Sequence, residues 1–259
     1  MSLLAGLQPQ LQVVHALVLR ESRTRYGAHQ LGYIWALLEP LFWVLTFYGI
    51  FYFANRALPF GMDIVSFITT GIIPYLLFRE TVSKSLNAVQ ANKALLFYPQ
   101  IRPLDLVIAR VCLEIATLVT VFVIIMGAHS LYLGEVHIDD LLALLGGLLL
   151  AGLLGASLGI FFSALSVYTR LVERIAPILM RPLFFISGLF FTANELPAMA
   201  RDVLLWNPVL HCVELVRDGW FPTYHAVHTD PTYVLSWILA FAYAGLILER
   251  MARRRLELT

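Results

Sequence analysis

An all-α integral membrane protein is the fold class this sequence predicts, and three observations predict it. Of the 259 residues, 59% are hydrophobic and only 14% charged, whereas about a quarter of a soluble domain is charged. Six segments are apolar over lengths near the ~20 residues a helix needs to cross the hydrocarbon. Lys and Arg also gather in alternate connections, the pattern of a multi-pass chain. The net charge of +1 adds little, because position outweighs the sum in such proteins.

The first element precedes the spans. Leu4, Leu7, Leu11, Val14 and Val18 recur at helical spacing, with Gln8, Gln12 and His15 off that stripe, and Arg20, Arg23 and Arg25 follow. An apolar stripe ending in a basic cluster predicts an amphipathic helix lying in the membrane surface, basic end in the cytoplasm. The plainer alternative is a cytosolic helix packed on a partner. Apolar before basic is the reverse of a cleaved signal peptide.

The six spans are expected at residues 31–53, 64–78, 104–129, 141–167, 176–193 and 232–248. The second is short unless it continues past Arg79 and Glu80, and Pro74 is expected to kink it. The second and fifth leave room for re-entrant paths. With the N-terminus inside, the inner side collects Arg20, Arg23, Arg25, Arg79, Lys84, Lys93, Arg102, Arg170, Arg174, Arg250, Arg253, Arg254 and Arg255. Arg110 and Arg181 sit just within inner span ends and can snorkel. The outer side receives Arg56, Arg201 and Arg217, and its second loop carries Glu135, Asp139 and Asp140. Both termini are therefore expected in the cytoplasm. The inner stretch 81–103 is long enough for one or two short helices.

Motifs of soluble chemistry are missing from the sequence. It has no G-x-x-x-x-G-K-[ST] phosphate loop, no Cys/His metal spacing and no G-x-S-x-G elbow, and Cys112 and Cys212 are isolated. Glu39-Pro40 interrupts the first span, either to shape an inner cavity mouth or, preferably, to pair with an Arg of the N-terminal helix. Arg110 and Glu114, one turn apart, are expected to pair with each other. No relay of Asp, Glu or His crosses the spans, which counts against a proton-coupled carrier.

Aromatic residues cluster in two spans. Trp43, Phe47 and Phe51 share a stripe flanked by Tyr48 and Tyr52, and Phe184 and Phe191 lie seven apart with Phe185 and Phe190 nearby. Such faces stack on sugar C–H faces, or simply pack against lipid. Gly146, Gly147, Gly152, Gly155 and Gly159, with Ala156, line the fourth span. They predict close helix approach within one subunit, and a dimer contact is the alternative.

The stretch "LLWNPVLHCVELVRDGWF" is too charged to span and too apolar for an ordinary loop. Pro208 forces a break, so two short helices are expected at 197–206 and 209–219. They predict a hairpin dipping into the outer leaflet, its turn satisfied by protein or by a watery cavity it covers. His211, Glu214 and Asp218 fall on one face. Nothing completes a metal or acid/base site around them, so hydrogen bonds within the hairpin are expected.

The order "PLFFISGLFFTANELPAMARDVLLWNPVLHCVELVRDGW" resembles the C-terminal signature of ABC-2-type transporter permeases. "RESRTRYGAHQLGYIWALLEPLFW" and "NKALLFYPQIRPLD" resemble their polysaccharide-export branch, specifically KpsM-like capsular polysaccharide export permeases, with O-antigen permeases (Wzm) as near relatives. The resemblance covers nearly the whole chain. It implies one transmembrane domain over 1–259: an interface helix (1–30), spans one to five (31–193), a periplasmic gate hairpin (194–231), then span six and a cytoplasmic tail (232–259).

The resemblance further implies a homodimeric pore in the bacterial inner membrane, with two copies of a separate ATPase that binds ATP and Mg, this chain binding no cofactor of its own. A conduit is implied from Trp43, Phe47, Tyr48, Phe51, Tyr52, Phe184, Phe185, Phe191 and Arg181, with Arg56 or Arg181 meeting an acidic polymer. ATPase coupling falls to Arg20, Arg23 and Arg25 with Asn92, Lys93, Leu95, Leu96, Phe97, Tyr98 and Pro99. The gate takes in Pro197, Trp206, Asn207, Pro208, Glu214 and Arg217. A periplasmic adaptor of the polysaccharide co-polymerase type, an outer-membrane export protein, a lipid-linked glycan and membrane lipids are the implied partners, without nucleic acid. Other ABC-2 substrates (O-antigen, teichoic acid, a lipid or drug), a membrane enzyme acting on lipid-linked sugars and a secondary carrier stay open as rivals.

Overall fold

Regular structure is entirely helical among the described residues, which are 3–26, 32–56, 58, 61–134 and 138–256 of this computed structural model. α1 (Leu3–Tyr26) precedes α2 (Gly32–Phe53) and α3 (Ile64–Leu86). α4 (Ala88–Ala91) and a 3-10 turn (Lys93–Phe97) lead to α5 (Pro103–Leu133) and α6 (Leu141–Ser166). α7 (Leu171–Ile186), a 3-10 turn (Ala193–Glu195), α8 (Ala198–Leu204), α9 (Pro208–Trp220) and α10 (Pro231–Leu256) complete the chain.

α3 is the axis of the bundle. Every residue from Ser66 to Phe78 is buried, because α2, α5, α6, α7 and α9 all pack on it. Asp63 caps its start by accepting from the Ser66 N–H at 2.8 Å. The helix does run past Arg79 and Glu80, whose charges pair with each other at 2.8 Å and with Glu39 and Lys84 at 3.6 and 3.7 Å. Glu39 meets Arg79 of α3; the expected pairing with an Arg of α1 includes Arg25, whose side chain lies outside the described residues.

Among the described residues, four helices are long and apolar enough to cross a membrane: α2 from Ile34, α5, α6, and α10 as far as Ala252. α3 and α7 do not meet that standard, so six spans do not follow from length and composition alone. α7 also departs from the expected 176–193. It starts at Leu171, stops at Ile186 and has 16 residues, about 24 Å at 1.5 Å per residue, against roughly 30 Å of hydrocarbon. Gly188 ends it, with φ at +79°, a conformation that glycine adopts without strain.

The glycines of α6 serve packing within the subunit. A Cβ on Gly155 would lie 2.6 Å from the Phe78 carbonyl, and one on Gly159 would lie 2.5 Å from the Ser85 Cβ, both in α3. One on Gly147 would meet Val216 of α9 at 2.7 Å. The missing side chains therefore set how closely α3 and α9 approach α6.

α1 packs along α5 through Val13, Leu17 and Val18, against Ala88, Val89, Leu106, Val107 and Ala109. Leu11, from the expected stripe, is 67% exposed. The packed face is thus turned from the one read by periodicity, and α1 carries apolar residues on both. The side chains of Leu4 and Leu7 lie outside the described residues, as do those of Arg25, Arg253, Arg254 and Arg255, and all of Glu135.

Candidate functional site

An open cavity of about 550 Å³ lies between α2, α3 and α7. Its aromatic lining comes from Trp43 and Phe47 of α2, Tyr75 of α3, and Phe184 and Phe185 of α7. The rings are mutually ordered: Phe184 lies 5.5 Å from Trp43, 5.8 Å from Phe47 and 5.3 Å from Tyr75. Phe190 extends the group at 4.6 Å from Phe47. Tyr75 donates its hydroxyl to the Met180 carbonyl, which fixes α7 against α3. At the end nearest α4 the lining turns polar, with Arg79, Glu80, Ser83, Asn87, Glu173 and Arg181.

Of the residues expected to line a conduit, Trp43, Phe47, Phe184, Phe185 and Arg181 share this wall. Four others do not join them. Phe51 is 3% exposed, packed between Phe67 and Phe190. Tyr48 and Tyr52 stack on each other at 6.0 Å and are exposed. Phe191 turns its carbonyl to Arg217. Arg56 lies over the Phe51 ring at 4.7 Å and donates to the Phe190 carbonyl. Tyr75 is the lining residue that the sequence does not announce, since a lone Tyr in α3 belongs to no aromatic stripe.

The basic end of the molecule holds a larger groove of about 970 Å³. Gln90, Lys93, Leu96, Phe97, Tyr98 and Pro99 form one side, and residues 166–170, including Arg170, the other. Phe97 is 90% exposed, and Tyr98 is exposed beside it. Asn92 is buried behind them: its amide donates to the Ala88 carbonyl at 3.1 Å, and its carbonyl oxygen accepts from Arg20 at 3.0 Å. Leu95 packs on the α1 cluster, while Arg23 is exposed. The groove therefore offers two aromatic side chains on a short turn whose base is tied to α1.

At the opposite end, Asn207-Pro208 joins α8 and α9 as the sequence predicts. Asn207 caps α9 by accepting from the Val209 N–H at 3.1 Å. Its amide also donates to Ser187 Oγ at 2.8 Å and to the Ile186 carbonyl at 3.3 Å, which binds the turn to the end of α7. Pro208 sits in the first turn of α9, where its missing N–H costs nothing. Pro197 caps α8, and Trp206 is 77% exposed.

α9 drives an ion pair into the core. Arg217 is fully buried and meets Glu214 at 3.2 Å. Its guanidinium donates to the Phe191 and Leu189 carbonyls at 2.8 and 3.2 Å, and lies over the Phe67 ring at 4.2 Å. Glu214 also accepts from Tyr224 and from the Ala193 N–H at 3.3 Å. Arg217 is thus no outer-loop charge, as its sequence position suggested. It is the fastener between α9 and the irregular segment after α7.

His211 and Asp218, on the same face as Glu214, are held within this region, as expected. His211 Nδ1 accepts from the Asp230 N–H at 3.0 Å, so Nε2 carries the proton donated to the Leu205 carbonyl at 2.8 Å. Asp218 accepts from the Ala226 N–H at 2.8 Å. The hydroxyl of Thr232, 2.7 Å away, holds the Asp230 carboxyl below the usual carboxylate range where it opens α10.

Four similarities to known proteins bear on this geometry. Residues 12–221 match the family described as ABC-2 type transporter. The chain is 34% identical over 247 residues to the "Polysialic acid transport protein KpsM" of Escherichia coli, covering 95% of each. It is 28% identical over 246 residues to the "Capsule polysaccharide export inner-membrane protein CtrC" of Neisseria meningitidis, covering 95% of this chain and 92% of that one. It is 28% identical over 255 residues to the "Capsule polysaccharide export inner-membrane protein BexB" of Haemophilus influenzae, covering 97% and 95%.

Proposed function

The chain belongs to the ABC-2 type transporter family, and from that premise we propose that it is the inner-membrane permease of an ATP-driven exporter of a lipid-linked capsular polysaccharide. The observation that carries this reading is the aromatic cavity between α2, α3 and α7, with Arg79 and Arg181 at its charged end. Rings accept the C–H faces of successive sugars without demanding one sequence. Arg181 suits an acidic polymer, while Arg79 is engaged by Glu80 and Glu39. A lining of this kind tolerates a long chain passing through, where one tight pocket would retain it.

The proposal places α2, α3, α5, α6, α7 and α10 across the bilayer, with α8 and α9 re-entering from the periplasm and α1 on the cytoplasmic surface. The charge asymmetry supports it, and burial of Arg217 leaves still less positive charge for the outer side. α7 is too short to span alone and exposes Arg174 and Arg181, seven residues apart, on a face that also carries Ile178 and Phe185. A face of that kind suits a second copy across a watery conduit better than lipid. The sequence has no phosphate loop, so the reading requires a partner ATPase, bound at the groove of Phe97 and Tyr98. That partner holds ATP and Mg. A periplasmic adaptor and an outer-membrane export protein would continue the route.

Deleting the gene from its host is expected to abolish surface capsule and leave O-antigen intact. Intact capsule with lost O-antigen would overturn the choice of substrate in favour of the O-antigen reading. Activity of the purified chain on lipid-linked sugars without any ATPase would favour the enzyme instead. Topology has its own check. Cysteines placed at Ala198 and Ala226 are expected to react with a membrane-impermeant maleimide in intact spheroplasts, and reaction only after lysis would invert the arrangement.

A further inference from the structure

Three polar contacts fasten α1 to the base of the bundle. Near its start, Gln10 donates to Asp105, the carboxylate that also accepts from the Arg102 N–H at 2.9 Å at the head of α5. Near its end, Arg20 donates to Asn92 at 3.0 Å. Between α1 and the two central helices lies the third. Arg110, two turns into α5, donates from Nε to Glu21 at 2.9 Å and from Nη1 to the Lys84 carbonyl at 3.0 Å. The Arg110 and Glu21 side chains are 14% and 19% exposed. The Lys84 carbonyl lies in the last turn of α3, where helix carbonyls have no intrahelical donor. One guanidinium thus joins α1, α3 and α5.

We propose that Glu21 and Arg110 are positioning residues that make α1 move with α3 and α5 when the coupling turn at 93–99 is pushed. The inference rests on the transport reading above and assigns it a mechanical joint. Arg20 and Asn92 link α1 to the coupling turn itself, so a push there reaches α1 directly. The Glu21–Arg110 bond passes it on to α3 and α5. α1 touches α2 only sparsely, yet it leads in sequence to α2, which carries Trp43 and Phe47 of the cavity wall. Fixed at both ends, α1 carries α2 along with α3 and α5 relative to α7, and the aromatic wall opens or closes. A largely desolvated charge pair suits a joint, because its geometry is specific and slippage would strand a charge away from water.

The test uses the whole complex of permease and ATPase. Export is followed in cells by cationic-dye staining of acidic surface polysaccharide, and ATP hydrolysis in membranes from the same cells. Glu21→Ala is expected to leave hydrolysis near wild type and to lower export per ATP about 10-fold, equivalent to about 1.4 kcal/mol of lost coupling. Glu21→Arg with Arg110→Glu, which reverses the pair, is expected to recover part of that ratio. A merely structural bond would lower hydrolysis and export together, and that result overturns the proposal, as does wild-type export per ATP. If Glu21→Ala does not accumulate, Glu21→Gln is read in its place, since its amide oxygen keeps an acceptor; an unchanged ratio there overturns the proposal and a reduced one supports it. Absence of ATP-dependent export in the wild-type strain would instead reject the transport reading.

Discussion

Arg217→Ala is expected to destabilise the protein by about 3–5 kcal/mol, the loss seen when one partner of a buried ion pair is removed. Three consequences combine at that site. Glu214 keeps a charge with no water to receive it. The Leu189 and Phe191 carbonyls lose their donors. The Phe67 ring loses the cation above it. Thermal unfolding in detergent reads the effect, followed by the reactivity of the buried Cys212 thiol toward a fluorogenic maleimide. Arg217→Met with Glu214→Leu is expected to recover part of the loss, because the stranded charge is gone while the two carbonyls stay unbonded. A single Arg217→Ala variant melting with the wild type would show that the network contributes little.

The second large effect is steric. Gly155→Ala is expected to cost about 1–3 kcal/mol by overpacking, because its Cβ would stand 2.6 Å from the Phe78 carbonyl. That neighbour is backbone at the end of the stretch of α3 that is buried throughout, so it cannot rotate aside. α3 and α6 must separate, and the cavity wall carried by Tyr75 shifts with α3. Export and melting temperature should therefore fall together. Gly49→Ala in α2 is the control: nothing lies within 4 Å of its added Cβ. Ala also favours a helix interior by about 0.5–1 kcal/mol over Gly, so that variant should hold or gain stability. Equal behaviour of the two glycines would remove the packing argument.

Much of this was legible in the sequence because local rules were not contradicted. Asn207-Pro208 specified both the break and the cap, and the two helices flank it as the dipeptide requires. The α6 glycines lie where close approach needs them. Other features were hidden for physical reasons. Gly188 carries the stop signal of α7, but it sits inside a run apolar enough to read as continuous span. Arg110 had Glu114 one turn away on its own helix, whereas its described partner is Glu21, 89 positions distant. Arg217 stands in a segment read as an outer connection, and only the i, i+3 spacing from Glu214 hinted at a buried pair. Phe51 shares the stripe of Trp43 and Phe47, yet one further turn carried it past the cavity into the core. Periodicity gives a helix face, and it is silent on which neighbour that face meets.

α9 packs on both α3 and α6, which are translated before it. Until the ribosome has delivered that late segment, Gly71 and the Phe67 ring of α3 lack the Arg217 guanidinium that covers them. Nascent chains should therefore depend on an insertase or chaperone that shields this seam, and products truncated before residue 208 should be prime substrates for membrane proteolysis.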